Sequence, residues 1–130
     1  MTVNLSNQKI YSINDGLQEL LRYSPEDYKK GDLGYLFYKI AKLSQTIEDH
    51  LVILEKTRIA LLEKFDLNSD TTEQSIKEKN TKLFINEWSP LLEKIETLDI
   101  EFITLDEINL LINPSKAPIL LTKKLLPIIK

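Results

Sequence analysis

Residues 32–65 read DLGYLFYKIAKLSQTIEDHLVILEKTRIALLEKF, and this stretch decides the fold. Apolar residues recur in it at intervals of seven, at Leu33, Ile40, Ile47, Leu54 and Leu61. A second apolar row shifts by one position along the stretch, from Leu36 and Leu43 to Phe37, Leu51 and Phe65. Such a drift is typical of a nearly straight helix, because 3.6 residues per turn do not divide seven evenly. We therefore predict one amphipathic helix, about 50 Å long at 1.5 Å per residue, whose apolar stripe requires a partner helix.

A second helix is predicted after the polar loop 66–72, where Thr71 and Gln74 match a capping box. Its apolar face comprises Ile76, Phe84, Trp88, Leu91, Ile95 and Leu98. Because the loop is short, the two helices are expected to form an antiparallel hairpin over residues 32–98. Pro90 either kinks the second helix or starts a new segment that Ser89 caps.

The flanking segments complete a single domain over residues 1–130. Residues 1–25 are predicted to hold a short strand, then a helix capped by Ser6 or Asn7. The alternation over 98–102 predicts a strand, and residues 99–130 are expected to be strand-rich. Residues 104–107 (TLDE) resemble a capping box and could start a short turn of helix. The predicted fold class is mainly α (α+β): a long hairpin, an N-terminal helix and a sheet of two or three strands at one end.

The composition excludes several classes of function but assigns none. Hydrophobic residues make up 42% and charged residues 28% of the 130, which is typical of a folded protein. The net charge of -3 gives no drive toward nucleic acid or anionic membranes. The chain has no Cys, which excludes disulfides and thiolate chemistry. Neither a signal-peptide core nor an apolar run long enough to span a membrane is present.

The residues also show no catalytic constellation. His50 is the single histidine, and its nearest carboxylates, Glu48 and Asp49, are sequence neighbours that do not face it on a helix, so we interpret it as a flank or interface residue. Gly31 and Gly34 lack the pattern of a phosphate-binding loop. Trp88 is interpreted as a core residue rather than as an interface anchor, because it keeps helical phase with its apolar neighbours. We predict no enzyme activity, no cofactor, no metal site and no small-molecule substrate.

Two clusters are candidate partner contacts. Tyr28, Tyr35 and Tyr38 lie near lysines around the start of the long helix, although interleaved acids cancel the field and packing against the first helix explains them as well. Lys123 and Lys124 lie in a C-terminal segment that has no acids after residue 107. They could dock an acidic partner, or they could protect an edge strand from unwanted pairing.

The order of parts resembles a family of small tailed-phage proteins of unknown function. The similarity lies in VNLSNQ at 3–8 before the first helix, in YKIAKL at 38–43 with LLEKF at 61–65, in LDIEF at 98–102 and in LDEI at 105–108. The Tyr-rich segment 23–34 and the Pro/Lys ending depart from the pattern of that family. The resemblance implies a phage or prophage origin, location in the host cytoplasm or the virion, and no catalytic residues.

Two functions therefore remain open. The first is a non-enzymatic interaction protein, such as a virion or assembly accessory, and the second is a phage-encoded inhibitor that binds a host defence protein. In both, the partner is a protein, from phage or host, or a second copy of the chain. The apolar stripe is wider than one antiparallel partner helix needs, since Ile85 and Leu92 also broaden the second helix. This width predicts an exposed patch and a homo-oligomer formed through the hairpin.

Overall fold

The computed structural model describes residues 2–22, 34–68, 74–111 and 119–129 of the chain. In order, the elements are β1 (Thr2–Ser6), α1 (Asn7–Leu21), α2 (Gly34–Lys64), α3 (Gln74–Glu93), β2 (Ile95–Asp99), α4 (Leu105–Leu111) and α5 (Ile119–Leu125). A 3₁₀ helix, Leu126–Ile128, follows α5. The fold is mainly α with a small two-stranded sheet, which confirms the predicted class. The predicted cap Thr71 and Leu33 of the stripe lie outside the described residues.

Helices α2 and α3 form the predicted antiparallel hairpin. Asn7 bridges His50 of α2 to Leu91 of α3, whereas Lys64, at the end of α2, pairs with Glu87 of α3. The positions on α3 thus decrease as those on α2 increase, which is the order of antiparallel helices. Helix α3 continues through Pro90 to Glu93 without a new cap, and it ends five residues before the predicted boundary.

The stripe of α2 is buried over most of its length. Its buried apolar residues are Leu36, Ile40, Leu43, Ile47, Leu51 and Leu54. They form one core cluster with the buried apolar residues of α1. Helix α1 begins after Ser6, a predicted N-cap, whose side chain accepts a hydrogen bond from the Lys9 amide. Burial decreases toward the C-terminal end of α2, since Leu61 is only partly buried.

Strand β2 begins three residues before the predicted strand. It pairs antiparallel with β1, with Leu5 opposite Glu96 and Val3 opposite Leu98. Leu98 fits a helical spacing with Ile95 and also a strand alternation with Ile100 and Phe102, so the sequence pattern alone does not decide between helix and strand. Pairing with β1 supplies the missing backbone partners and selects the strand.

The prediction of a strand-rich part over 99–130 is wrong for the described residues, because α4, α5 and the 3₁₀ helix lie there. The capping box at Thr104 forms both of its reciprocal hydrogen bonds with Glu107, at 3.0 and 3.1 Å, and starts α4. Leu121, Leu125 and Ile128 have helical spacing, and each is at most 1% exposed. Their burial against α1 explains why this segment is helical.

Helix α5 packs closely on α1 at Gly16. A Cβ atom at Gly16 would lie 2.9 Å from Leu125 Cδ2 and 3.0 Å from Lys124 Cβ. The glycine weakens α1 as an isolated helix by about 1 kcal/mol relative to alanine. It permits the close approach, because a side chain at this position would force Leu125 or Lys124 of α5 to shift.

Candidate functional site

The end of the hairpin far from the sheet lies outside the core. In the part that the structure describes, residues 55–68 and 74–87 contain no buried residue, and we call these residues the distal hairpin. Four of its apolar residues are between 41% and 49% exposed: Ile59, Ile76, Leu83 and Ile85. Others are partly exposed, among them Leu61 and Phe84. Exposed apolar surface on this scale is unusual for a helix pair that only supports a core.

Two open grooves lie on one side of the hairpin, each about 640 Å³ in volume. The first, between α1 and α2, is lined by Tyr11, Asn14, Asp15, Glu48, Leu51, Val52, Glu55, Lys56 and Ile59. The second, beside α3, is lined by Leu62, Leu67, Gln74, Lys77, Glu78, Thr81, Lys82 and Phe84. Residues 48, 52, 55, 59 and 62 follow one another at helical spacing along α2, so the two grooves share one face of this helix. We call the two grooves together the groove face.

Three aromatic rings in successive contact connect the two grooves. Trp88 is the one buried residue of α3. The Tyr11 ring meets it edge-on at 6.4 Å between centroids, and the Phe84 ring stacks on it at 6.2 Å. Such pairs stabilise by about 0.5–1.5 kcal/mol beyond the area they bury. These ring contacts therefore hold α1 and α3 in fixed relation beneath the groove face, and the interpretation of Trp88 as a core residue agrees with its burial.

Polar contacts reinforce this junction. The Tyr11 hydroxyl donates to Glu55 Oε1 at 2.8 Å, and the Arg58 guanidinium donates to both oxygens of the same carboxylate. Burial, followed by the hydrogen bond to Glu55, raises the pKa of Tyr11. The hydrogen bond from Arg58, followed by that from Tyr11, lowers the pKa of Glu55. At neutral pH the tyrosine is thus protonated and the glutamate ionised, a pairing that fixes geometry rather than transfers a proton.

The charged residues of the groove face are distributed unevenly. The first groove is lined by three carboxylates, Asp15, Glu48 and Glu55, and by one cation, Lys56. Two lysines, Lys77 and Lys82, line the second groove together with the single acid Glu78. One end of the groove face is therefore acidic and the other end is basic.

His50 belongs to a structural contact. Asn7, only 2% exposed, donates from Nδ2 to the Leu91 carbonyl at 2.7 Å, and its Oδ1 lies 2.8 Å from His50 Nε2. Because a carbonyl can only accept, the amide nitrogen faces Leu91 and His50 Nε2 carries a proton toward Oδ1. Asn7 thereby satisfies a carbonyl at the end of α3 and joins three helices. The sequence offered Asn7 only as a cap, and its long-range role depends on tertiary contacts.

The predicted partner contacts lie elsewhere. Tyr35 is 59% exposed and donates to Glu101 at 3.0 Å, and this hydrogen bond is the main cause that raises its pKa. Tyr38 is 61% exposed, whereas Tyr28 lies outside the described residues. Lys124 forms an ion pair with Glu19 at 3.4 Å, and Lys123 is exposed. Both lysines lie on α5, so the alternative that they protect an edge strand is wrong.

None of these four described residues lines the groove face. The apolar stripe does not predict that surface, because Val52 and Ile59 lie beside the stripe rather than in it. Their own spacing of seven was the available signal.

Among the described residues, no group of three His, Asp or Glu side chains could hold a metal ion. The helices in the same ranges include none with the length and apolar character that a bilayer crossing requires. No protein-family model, curated protein or solved structure matches this chain. The resemblance to tailed-phage proteins therefore stays a prediction, and function has to be argued from the surface.

Proposed function

We propose that this chain is a non-enzymatic protein-binding protein that contacts its partner through the distal hairpin. The observation that carries the proposal is the absence of any buried residue in 55–68 and 74–87 of the described chain, although apolar residues are frequent there. Burying the exposed half of Ile59, Ile76, Leu83 or Ile85 would stabilise a complex by about 1 kcal/mol each.

The charge of the distal hairpin supports a protein partner over nucleic acid. Residues 55–68 and 74–87 contain six Lys or Arg and five Asp or Glu, so their net charge is 6 − 5 = +1. Nucleic-acid surfaces need a concentrated basic patch, since phosphate contacts dominate their affinity. A mixed-charge surface with exposed apolar residues is typical of protein contacts.

A phage accessory role, in the virion or in its assembly, is the specific form that we propose, and it rests on the sequence resemblance. Capture of partners by the tagged chain from phage-infected cells tests it. Virion proteins among the captured partners would support the accessory role, whereas a host defence enzyme would support inhibition instead.

Matched variants make this experiment specific to the distal hairpin. Leu83→Glu places a charge on the 41% exposed Leu83, and Leu105→Glu does the same at a 50% exposed leucine on α4. Leu105 is a suitable control because α4 contacts α2 near Lys39, at the other end of the molecule. We expect Leu83→Glu to lose the partner and Leu105→Glu to retain it. Equal retention by both variants, with circular dichroism showing both folded, would contradict the proposed binding surface.

A further inference from the structure

We infer that two copies of this chain pair through the groove face, with twofold symmetry and the two α2 helices antiparallel. The inference deepens the proposed function and rests on it in one respect, because both take the exposed hairpin to be a binding surface. It names a second copy of the chain as the occupant of one side. Leu83 and Ile76 line neither groove, and they leave a separate side for another protein.

An apolar row lies at the centre of the groove face. Val52 is 50% exposed and Ile59 is 49% exposed, and they lie two helical turns apart on α2. Leu62 continues the row into the second groove. An apolar row of this length on a long helix fits another helix laid along it, because side chains three and four residues apart form continuous ridges.

The two ends of the groove face carry opposite charges. Arg58 already neutralises Glu55, so Asp15 and Glu48 outweigh Lys56 and make the first groove acidic. Lys77 and Lys82 outweigh Glu78 and make the second groove basic. A twofold axis across the middle of the groove face places the acidic end of each copy against the basic end of the other. A parallel arrangement would instead bring like charges together, so the charges select the antiparallel one.

The groove face is complementary to a second copy of itself. A twofold interface uses the same surface on both copies, so every feature must find its match within that surface. The groove face meets this requirement, because it combines an apolar centre with two ends of opposite sign. A different partner would need the same bipolar pattern by coincidence.

The underlying junction is suited to support such an interface. The rings of Tyr11, Trp88 and Phe84 fix α1 against α3 beneath it, and the Tyr11 hydroxyl donates to Glu55 of α2. A surface that is already ordered loses little conformational freedom on pairing, so more of the gain from apolar burial remains as affinity.

Sedimentation equilibrium of the purified full chain, from low to high micromolar concentration, tests the inference. The expected result is a mass that rises with concentration from 15.1 kDa toward twice that value. We expect Ile59→Glu to weaken association at least about tenfold, since it puts a charge in the apolar centre of both copies. Ile53→Glu is the matched control, because Ile53 is 68% exposed on a different side of α2 and lines neither groove.

Charge reversal tests the orientation. Lys77→Glu with Lys82→Glu makes both ends acidic and should weaken pairing. Adding Asp15→Lys and Glu48→Lys reverses the pattern completely and should restore it. Circular dichroism establishes that each variant keeps its helices.

Three results would overturn the inference: a monomeric mass at every concentration, equal loss with Ile53→Glu and Ile59→Glu, or no rescue by the full reversal. A monomer that still captures a partner in a Leu83-dependent manner would refute the pairing and leave the proposed function intact. A dimer that captures no other protein would support the pairing and contradict the proposed function.

Discussion

Truncation along the stripe of α2 should have an effect that falls off toward its C-terminal end. Ile47 is fully buried, Leu54 is 7% exposed and Leu61 is only partly buried. Replacing Ile47 by alanine removes three carbon atoms, about 2.4 kcal/mol of transfer free energy at 0.8 kcal/mol per CH₂. The cavity left behind brings the loss to about 3–4 kcal/mol. We expect about 2–3 kcal/mol for Leu54→Ala and about 1 kcal/mol for Leu61→Ala, where water already reaches the side chain.

Urea denaturation followed by helical circular dichroism measures these losses, provided that unfolding is two-state and its slope is unchanged. The measurements belong at the lowest usable protein concentration, because pairing would add stability to the distal hairpin. Ile53→Ala serves as the control and should change the free energy of unfolding by less than about 0.5 kcal/mol. A loss at Leu61 equal to that at Ile47 would refute the reasoning, since it would mean that the distal hairpin is packed as tightly as the core.

Three further predictions concern single contacts. Burial raises the pKa of Glu107, but hydrogen bonds from Lys39 and from its capping residue prevail and lower it below the ordinary 4.5. The stability from this contact is thus present above 4.5 and lost as the pH falls, and Glu107→Gln should flatten the acid side of a pH–stability curve. His50→Ala should cost about 1 kcal/mol in thermal or urea melts, by removing the donor to Asn7, while partner capture survives both this change and EDTA. Gly16→Ala should lower the melting temperature, because the clash with α5, about 1–3 kcal/mol, exceeds the gain of about 1 kcal/mol in helix propensity.

The helices were the most predictable part of the fold, because their signals are local. The seven-residue rows located α2, and the helical phase of Trp88 with Phe84 located α3. Ser6, one of two predicted caps of α1, and the box at residues 104–107 both act as caps, since a side chain that bonds an amide three residues away needs no tertiary partner.

The C-terminal part was mispredicted because its pattern is ambiguous at short length. The run at residues 119–129 is too short for periodicity to separate a buried helix from a strand. A proline such as Pro127 is compatible with a sheet edge, and it also fits the first turn of a 3₁₀ helix. What decides is the space beside α1 at Gly16, and no sequence pattern shows which helix will occupy it.

The candidate surface was predictable only in kind. An excess of apolar width on the hairpin was correctly expected to leave exposed residues, as at Ile85. The location of the candidate surface was not predictable, because the groove face depends on where α1 crosses α2. The Tyr and Lys clusters were predicted partner contacts because of their composition. In the structure, Tyr35 donates a hydrogen bond to Glu101, and Lys124 forms an ion pair with Glu19 of the same chain.

The position of the core explains why the hairpin extends so far. The fully buried side chains lie on α1, on α2 no further than Ile47, in the segment that follows β2, on α5 and in the 3₁₀ helix. Each ordered residue of the distal hairpin costs about 1–2 kcal/mol of backbone entropy, and no fully buried residue there offsets that cost. A chain that needed only this core would gain little from α2 beyond Leu54, since only partly buried residues such as Leu61 pack against the core there. The extension is understandable as a surface whose apolar residues are covered in a complex, and pairing through the groove face would supply that cover from the chain itself.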